Sequence, residues 1–152
     1  EVPSVSKGEH MVALKKSSAN QSYYELVRKL NFEPGIDVVL AYDLGPSEVF
    51  SEGHILYARN NFSNEQQARI NIFSTPDLVT VLLDDIGIGT SSLKDIQLDV
   101  GRQHKLRFEK PGYDPLEFTI MPENQSDRDK LKGLTLTLEV NLFAQPVKVT
   151  KQ

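Results

Sequence analysis

The sequence has 152 residues, of which 39% are hydrophobic and 25% are charged, a composition typical of a globular protein with a sizeable core. The formal net charge is −4 and no Lys/Arg cluster is interleaved with aromatic residues, so nucleic acid is not expected as a partner. The absence of cysteine excludes disulfides, thiolate metal ligands and cysteine catalysis.

The sequence contains neither a membrane span nor a targeting signal. No apolar run approaches the roughly 18 residues that a span needs, and the first residues lack a signal-peptide pattern. The sequence begins Glu1-Val2-Pro3 without methionine and stops soon after an apolar segment. These features predict an excised piece of a larger protein, attached to a membrane only through segments that this sequence does not contain.

Residues 1–68 are predicted to form an α+β subdomain that bears a helix. Strands are expected over residues 10–16, 36–42 and 54–59. The helix is predicted over residues 20–31, because Ser22 and Glu25 form a capping box ahead of apolar residues at helical spacing. Those apolar residues are Tyr23, Leu26, Val27 and Leu30. The Pro34-Gly35 pair is expected to end this helix.

Residues 69–152 are predicted to be short strands separated by turns. Strands are expected from residue 68 to 73 and over residues 79–83, 96–100, 105–109, 116–120 and 134–140. In the last three, apolar and polar residues alternate with period 2, which is typical of strands with one buried face. The segment Lys110-Pro111-Gly112-Tyr113 is expected to form a tight hairpin turn with Gly112 at positive φ.

The motifs in this part of the sequence resemble a known family. Residues 79–93 follow the pattern V-x-V-x-x-D-D-x-x-x-G-x-S-S-L, and residues 98–113 read L-D-V-G-x-x-H-K-L-R-F-E-K-P-G-Y. Together they look like a PEGA domain, a small β-sandwich found mostly in extracytoplasmic bacterial proteins and surface-layer assemblies. The chain departs from the family at Ser91-Ser92, where Thr-Pro is usual. The family is not associated with a catalytic centre, so the resemblance carries over no active residues.

The expected fold class is therefore α+β and mainly β. An antiparallel β-sandwich over residues 69–152 follows the helix-bearing subdomain of residues 1–68. If the strands from residue 79 to residue 140 are self-contained, a fragment of residues 69–145 should fold alone with a cooperative transition. Residues 134–140 would favour a homodimer if they lay at a sheet edge, where backbone groups are unpaired.

The histidines and aspartates do not have the spacing of a catalytic or metal site. His10, His54 and His104 are the only histidines, and none stands three or four residues from another or beside paired carboxylates. Calcium prefers carboxylate oxygens, but the aspartates near the middle of the chain match no calcium loop. These residues, better explained as turn formers and strand ends, are Asp84, Asp85, Asp95 and Asp99.

Four other motifs are also weak. Gly87-Ile88-Gly89 lacks the third glycine and the following helix of a dinucleotide site, and Ser91-Ser92 lacks a nucleophile elbow. Three Asn-x-Ser tripeptides, at residues 20–22, 61–63 and 124–126, match glycan acceptors, although ordinary polar loops explain them better. The aromatic residues that offer a ligand platform, or ordinary packing, are Tyr42, Tyr57 and Tyr113.

The leading functional hypothesis is a non-enzymatic module. No catalytic, cofactor-binding or metal-binding residue is identified, and the ligand site is unknown. The PEGA resemblance, the ends of the sequence, the absence of a catalytic constellation and the acidic, cysteine-free composition favour one hypothesis. It is an extracytoplasmic, periplasmic sensor or ligand-binding domain of a membrane-anchored bacterial signalling protein such as a two-component histidine kinase. A cell-envelope structural or carbohydrate-binding module is the alternative. The expected partners are a small ligand or an envelope component, together with a second copy of the chain.

Overall fold

The structure, a computed structural model, describes residues 5–60 and 64–146. The described residues form mainly strands, with one short α-helix, α1 (Gln125–Asp129), and one turn of 3-10 helix (Glu48–Phe50). No helix among them is long and apolar enough to cross a membrane. The strands in chain order are β1 (Gly8–Leu14), β2 (Leu26–Phe32), β3 (Val39–Asp43), β4 (Glu52–Asn60), β5 (Ala68–Thr75), β6 (Thr80–Leu83), β7 (Ile86–Thr90), β8 (Leu93–Leu98), β9 (His104–Glu109), β10 (Leu116–Ile120) and β11 (Leu134–Asn141).

The strands form three sheets. A five-stranded sheet has the order β3-β4-β11-β5-β8, a four-stranded sheet has the order β10-β9-β6-β7, and β1 pairs with β2 alone. All pairs are antiparallel except β11 with β5. Packing of the two larger sheets confirms the prediction of a mainly β sandwich.

The main core lies between the two larger sheets. Leu106 and Phe108 of β9 are buried against the five-stranded sheet, which contributes Ile70 and Leu138 from β5 and β11. Each such side chain contributes about 1.5–3 kcal/mol when it is fully removed from water. This burial holds the two sheets together.

The β1–β2 hairpin covers part of the other face of the five-stranded sheet. Leu26 and Leu30 of β2 are buried in a second cluster with Ile55 of β4. Leu56, the next residue of β4, packs against the main core instead, as the alternation of side chains along a strand requires. Strand β4 therefore lies between the hairpin and the four-stranded sheet.

The predicted helix over residues 20–31 is wrong, because residues 26–32 form strand β2. Leu26 and Leu30 stand four residues apart, a spacing that places them on one face of either a helix or a strand. Pairing with β1 decides between the two, since it buries both leucines and leaves Val27 42% exposed. Glu25, expected in a capping box, lies 3.6 Å from the Lys15 ammonium group.

The turn between β9 and β10 has the conformation that the sequence predicts. The Tyr113 N–H donates to the Lys110 carbonyl oxygen at 3.1 Å, and Gly112 has φ +87°. Strands β9 and β10 on either side pair in antiparallel register. The positive φ expected for Gly112 is therefore confirmed.

Strand β11 is central rather than at an edge. It pairs with β4 on one side and with β5 on the other. The edge argument for a homodimer therefore does not apply to residues 134–140, and dimerisation stays a prediction without that support. Strands β3 and β4, which precede residue 68, share this sheet with β5, β8 and β11.

Candidate ligand-binding cleft

The fold does not bring the three histidines together. His10 lies in the β1–β2 hairpin, edge-on to Phe32 at 5.4 Å between ring centroids, and His54 and His104 lie in different sheets. The described residues contain no group of three histidine, aspartate or glutamate side chains that fits a metal ion. The three histidines therefore do not share a site.

His104 is the most constrained of the three. It is 3% exposed, its Nδ1 lies 2.7 Å from Asp84 Oδ2, and its Nε2 lies 2.6 Å from the Asp99 carbonyl oxygen. Both ring nitrogens face oxygen acceptors, so whichever nitrogen carries a proton can donate a hydrogen bond. The contacts fix the β6–β7 turn against the start of β9, which is a structural role.

The partners of Asp84 stabilise its charged form. Burial alone would raise the pKa of this carboxyl, but hydrogen bonds from the Lys105 N–H and His104 and the charges of His104 and Arg102 lower the pKa below its ordinary value. Arg102 lies 3.1 Å from Asp84, and the Lys105 ammonium lies 2.7 Å from Asp85. These aspartates serve the turn rather than a cation site.

The other predicted candidates occupy ordinary structural positions. The Asp99 carboxylate accepts the Gly101 N–H at 2.8 Å, and Ser91 Oγ accepts the Val79 N–H at 3.0 Å. The Asn124 side chain caps α1 by accepting the Asp127 N–H at 2.9 Å. Strand β7 contains Gly87 and Gly89, Asp95 follows them in β8, and the tripeptide of residues 61–63 lies outside the described residues.

The tyrosines do not form a shared platform. Tyr42 and Tyr57 pack against the hairpin cluster, and Tyr113 packs against the main core. Burial is the main cause that raises the pKa of Tyr42 to about 12, and the nearby charge of Arg28 acts in the opposite direction. Packing is therefore the role that the geometry supports for Tyr42.

A cleft opens where the edges of the two larger sheets meet. His54 of β4 stacks on Phe118 of β10, with 3.7 Å between ring centroids and 2° between planes. Because β10 lies over β4, strand β3 extends beyond the four-stranded sheet, and Val39 on its inner face is 38% exposed. The cavity under this overhang has a volume of about 380 Å³.

The cleft walls are mainly aliphatic. The apolar side chains come from both sheets and from the segments beside them, among them Ile36, Val39, Leu56, Ile120, Leu131 and Leu136. The polar side chains are few. His54 and Thr119 lie in the strands, Asp37 lies before β3, and Asp127 and Lys130 form an ion pair at 3.2 Å.

Met121 places a strained backbone at this cleft. Its φ is +84°, a region that residues other than glycine adopt at a cost of about 1–3 kcal/mol. Gln103 Nε2 donates to the Met121 carbonyl oxygen at 3.0 Å. Such outliers persist where the neighbouring structure holds them.

His54 is uncharged at neutral pH because burial lowers its pKa to about 4. A neutral imidazole ring has one donor and one acceptor nitrogen. The spacing of His54 in the sequence argued against a catalytic or metal site and did not predict a place in a ligand cleft. The available signal was its position in strand β4, where it shares the face of Leu56 and Ala58.

Acid is expected to destabilise the protein through His54. An unfolded histidine titrates near pH 6.5, so its lowered folded pKa gives stability that is complete above pH 6.5 and lost as pH falls through about 4. Since the ring is partly exposed, we expect a loss of roughly 2 kcal/mol. Urea unfolding at about pH 7 and about pH 4.5 measures it. His54→Phe keeps an aromatic ring but cannot titrate, so its free energy of unfolding should fall less between these two pH values. An equal fall in the native protein and in His54→Phe would contradict the role of His54 in this pH dependence.

Comparisons with known proteins give no relative for this chain. No family model, no curated protein and no solved structure matches it.

Proposed function

We propose that this chain is a non-enzymatic, extracytoplasmic ligand-binding domain that holds a small molecule in the cleft. The proposal places it in the periplasm, as the sensor part of a membrane-anchored bacterial signalling protein such as a two-component histidine kinase. The PEGA-like motifs of residues 79–113 suggest the location. The single observation that supports binding is the cleft between β3 and β10.

The dimensions and lining of the cleft favour a small ligand. Pockets for small molecules commonly measure about 300–1,000 Å³ and combine apolar walls with a few polar groups. The cleft has a volume of about 380 Å³, and His54 is a polar group within largely aliphatic walls. A small organic molecule therefore suits it better than an ion.

The position of the cleft also suits a sensor. Its walls come from the five-stranded sheet, through Val39 and Leu56, and from β10 and the segment after it, through Ile120 and Leu131. A ligand that contacts both walls at once stabilises the relative position of the two walls that allows both contacts. Binding then shifts the population between arrangements, which is the physical requirement for a signal.

A filled-cleft variant tests the proposal. Val39→Trp places a large ring at the cleft mouth, whereas Val27→Trp adds the same ring to the outer face of the hairpin, at a position of similar exposure. A library of small molecules is screened by thermal unfolding. At about 100-fold excess over Kd, ligands should raise Tm by roughly 5–10 °C in the native protein and in Val27→Trp.

The same ligands should leave the Tm of Val39→Trp nearly unchanged. If Val39→Trp responds as fully as Val27→Trp, the ligands bind elsewhere and the cleft is not the site. If the library yields no ligand for the native protein, the binding function itself is contradicted. Membrane-spanning segments on both sides of this chain in its parent protein would support the receptor part of the proposal.

A further inference from the structure

We propose that the ligand is an uncharged aliphatic molecule whose single polar group, a hydroxyl or carbonyl, hydrogen-bonds to His54. This inference rests on the proposed function, since it specifies the ligand class of the same cleft. It follows from three properties of the lining: its aliphatic walls, the ion pair that already holds Lys130, and the unused hydrogen-bonding capacity of one ring.

The walls favour a hydrocarbon chain or ring. Ile36, Val39 and Leu56 lie on the side of the five-stranded sheet, and Ile120 and Leu131 lie opposite. Of these, only Leu131 and Ile120 are buried, so the others keep apolar surface that a ligand can cover. Covering apolar surface is favourable in proportion to its area and needs no particular geometry.

The charges of the cleft disfavour an ionised ligand. Among the described residues that line the cleft, Lys130 is the only cation, and Asp127 already holds it at 3.2 Å. A ligand carboxylate would have to compete for that ammonium group or lose its water without a partner. Asp37 has no ion-pair partner among the residues that the structure describes, but it is exposed, and an exposed ion pair with an amine would contribute little.

His54 supplies the polar contact. Within the described part of the chain, no hydrogen bond engages either of its ring nitrogens, while Phe118 covers one face of the ring. The neutral ring can donate one hydrogen bond and accept another. A hydroxyl group complements both capacities, and a carbonyl group complements the donor.

The test compares probes that share an eight-carbon chain and differ in the head group. Octan-1-ol, octanoate and octylamine are titrated into the whole protein at neutral pH, with binding followed by calorimetry. Octan-1-ol should bind at least about tenfold more tightly than either ion, because the ions lose hydration without a partner. Butylbenzene, which has no polar group, is the probe for the walls alone.

His54→Phe separates the hydrogen bond from the shape of the site. In this variant the affinity for octan-1-ol should fall by about fivefold to tenfold, because the alcohol loses a hydrogen bond. The affinity for butylbenzene, which makes no hydrogen bond, should change by less than about twofold. His54→Gln, which keeps a donor and an acceptor, should restore part of the octan-1-ol affinity. Together these results would support the inference.

The contrary results are equally specific. If octanoate or octylamine binds the native protein more tightly than octan-1-ol does, the ligand is not an uncharged molecule. If His54→Phe loses the same affinity for octan-1-ol and for butylbenzene, His54 has only a structural role in the cleft. Failure of all four probes to bind would also overturn the inference. The proposed function is decided separately, since Val39→Trp tests library ligands of any chemistry.

Discussion

A fragment of residues 69–145, which lacks β1 to β4, is expected not to fold on its own. Strand β11 pairs with β4 along its full length, from Leu134 to Asn141. Without β4, the backbone groups on that side of β11 lose their partners, and the core loses Leu56 and Ala58. The stabilising free energy that these contacts provide is comparable with the whole free energy of unfolding of a domain, about 5–15 kcal/mol.

Amide NMR spectra and thermal unfolding of the fragment and of the full chain measure this effect. The full chain should give dispersed amide signals and one cooperative transition, and the fragment should give neither. A fragment with dispersed signals and cooperative unfolding would instead support two folding units divided between residues 68 and 69, as the alternating strands predict.

Replacement of His104 by leucine is expected to lower the free energy of unfolding by about 3 kcal/mol. Leucine fills a similar volume but leaves Asp84 without its histidine partner and the Asp99 carbonyl oxygen without its 2.6 Å hydrogen bond. Urea unfolding at neutral pH measures the change.

His10→Leu is the matched control, since the His10 hydrogen bonds to Ser6 are exposed. It should cost less than about 1 kcal/mol. If the two substitutions have the same small effect, the contacts of His104 add no more to stability than exposed contacts do, and the structural role assigned to this histidine is wrong.

Local sequence patterns predicted those parts of the fold that local residues determine. The alternation at Leu106 and Phe108 indicated a half-buried strand, and Pro111-Gly112 indicated the turn that follows. Both were visible because side chains alternate along a strand and because few residues adopt positive φ.

Non-local pairing decided the features that the sequence did not predict. Leu26 and Leu30 fit a helix as well as a strand, and only the partner strand β1 selects the strand. The parallel pairing of β11 with β5 joins segments more than 60 residues apart in sequence. The cleft depends on β10 lying over β4, a relation between two sheets that no single segment encodes.

The most direct test of the central claim is to locate a bound ligand by amide chemical-shift mapping. The native protein is titrated with a ligand from the library that raises its Tm. The account predicts the largest shifts at residues 36, 37, 39, 54, 56–58 and 119–122, which line the cleft. Shifts concentrated instead on β7 and β8 would contradict it, because these strands form the edges of the two larger sheets that lie away from the cleft.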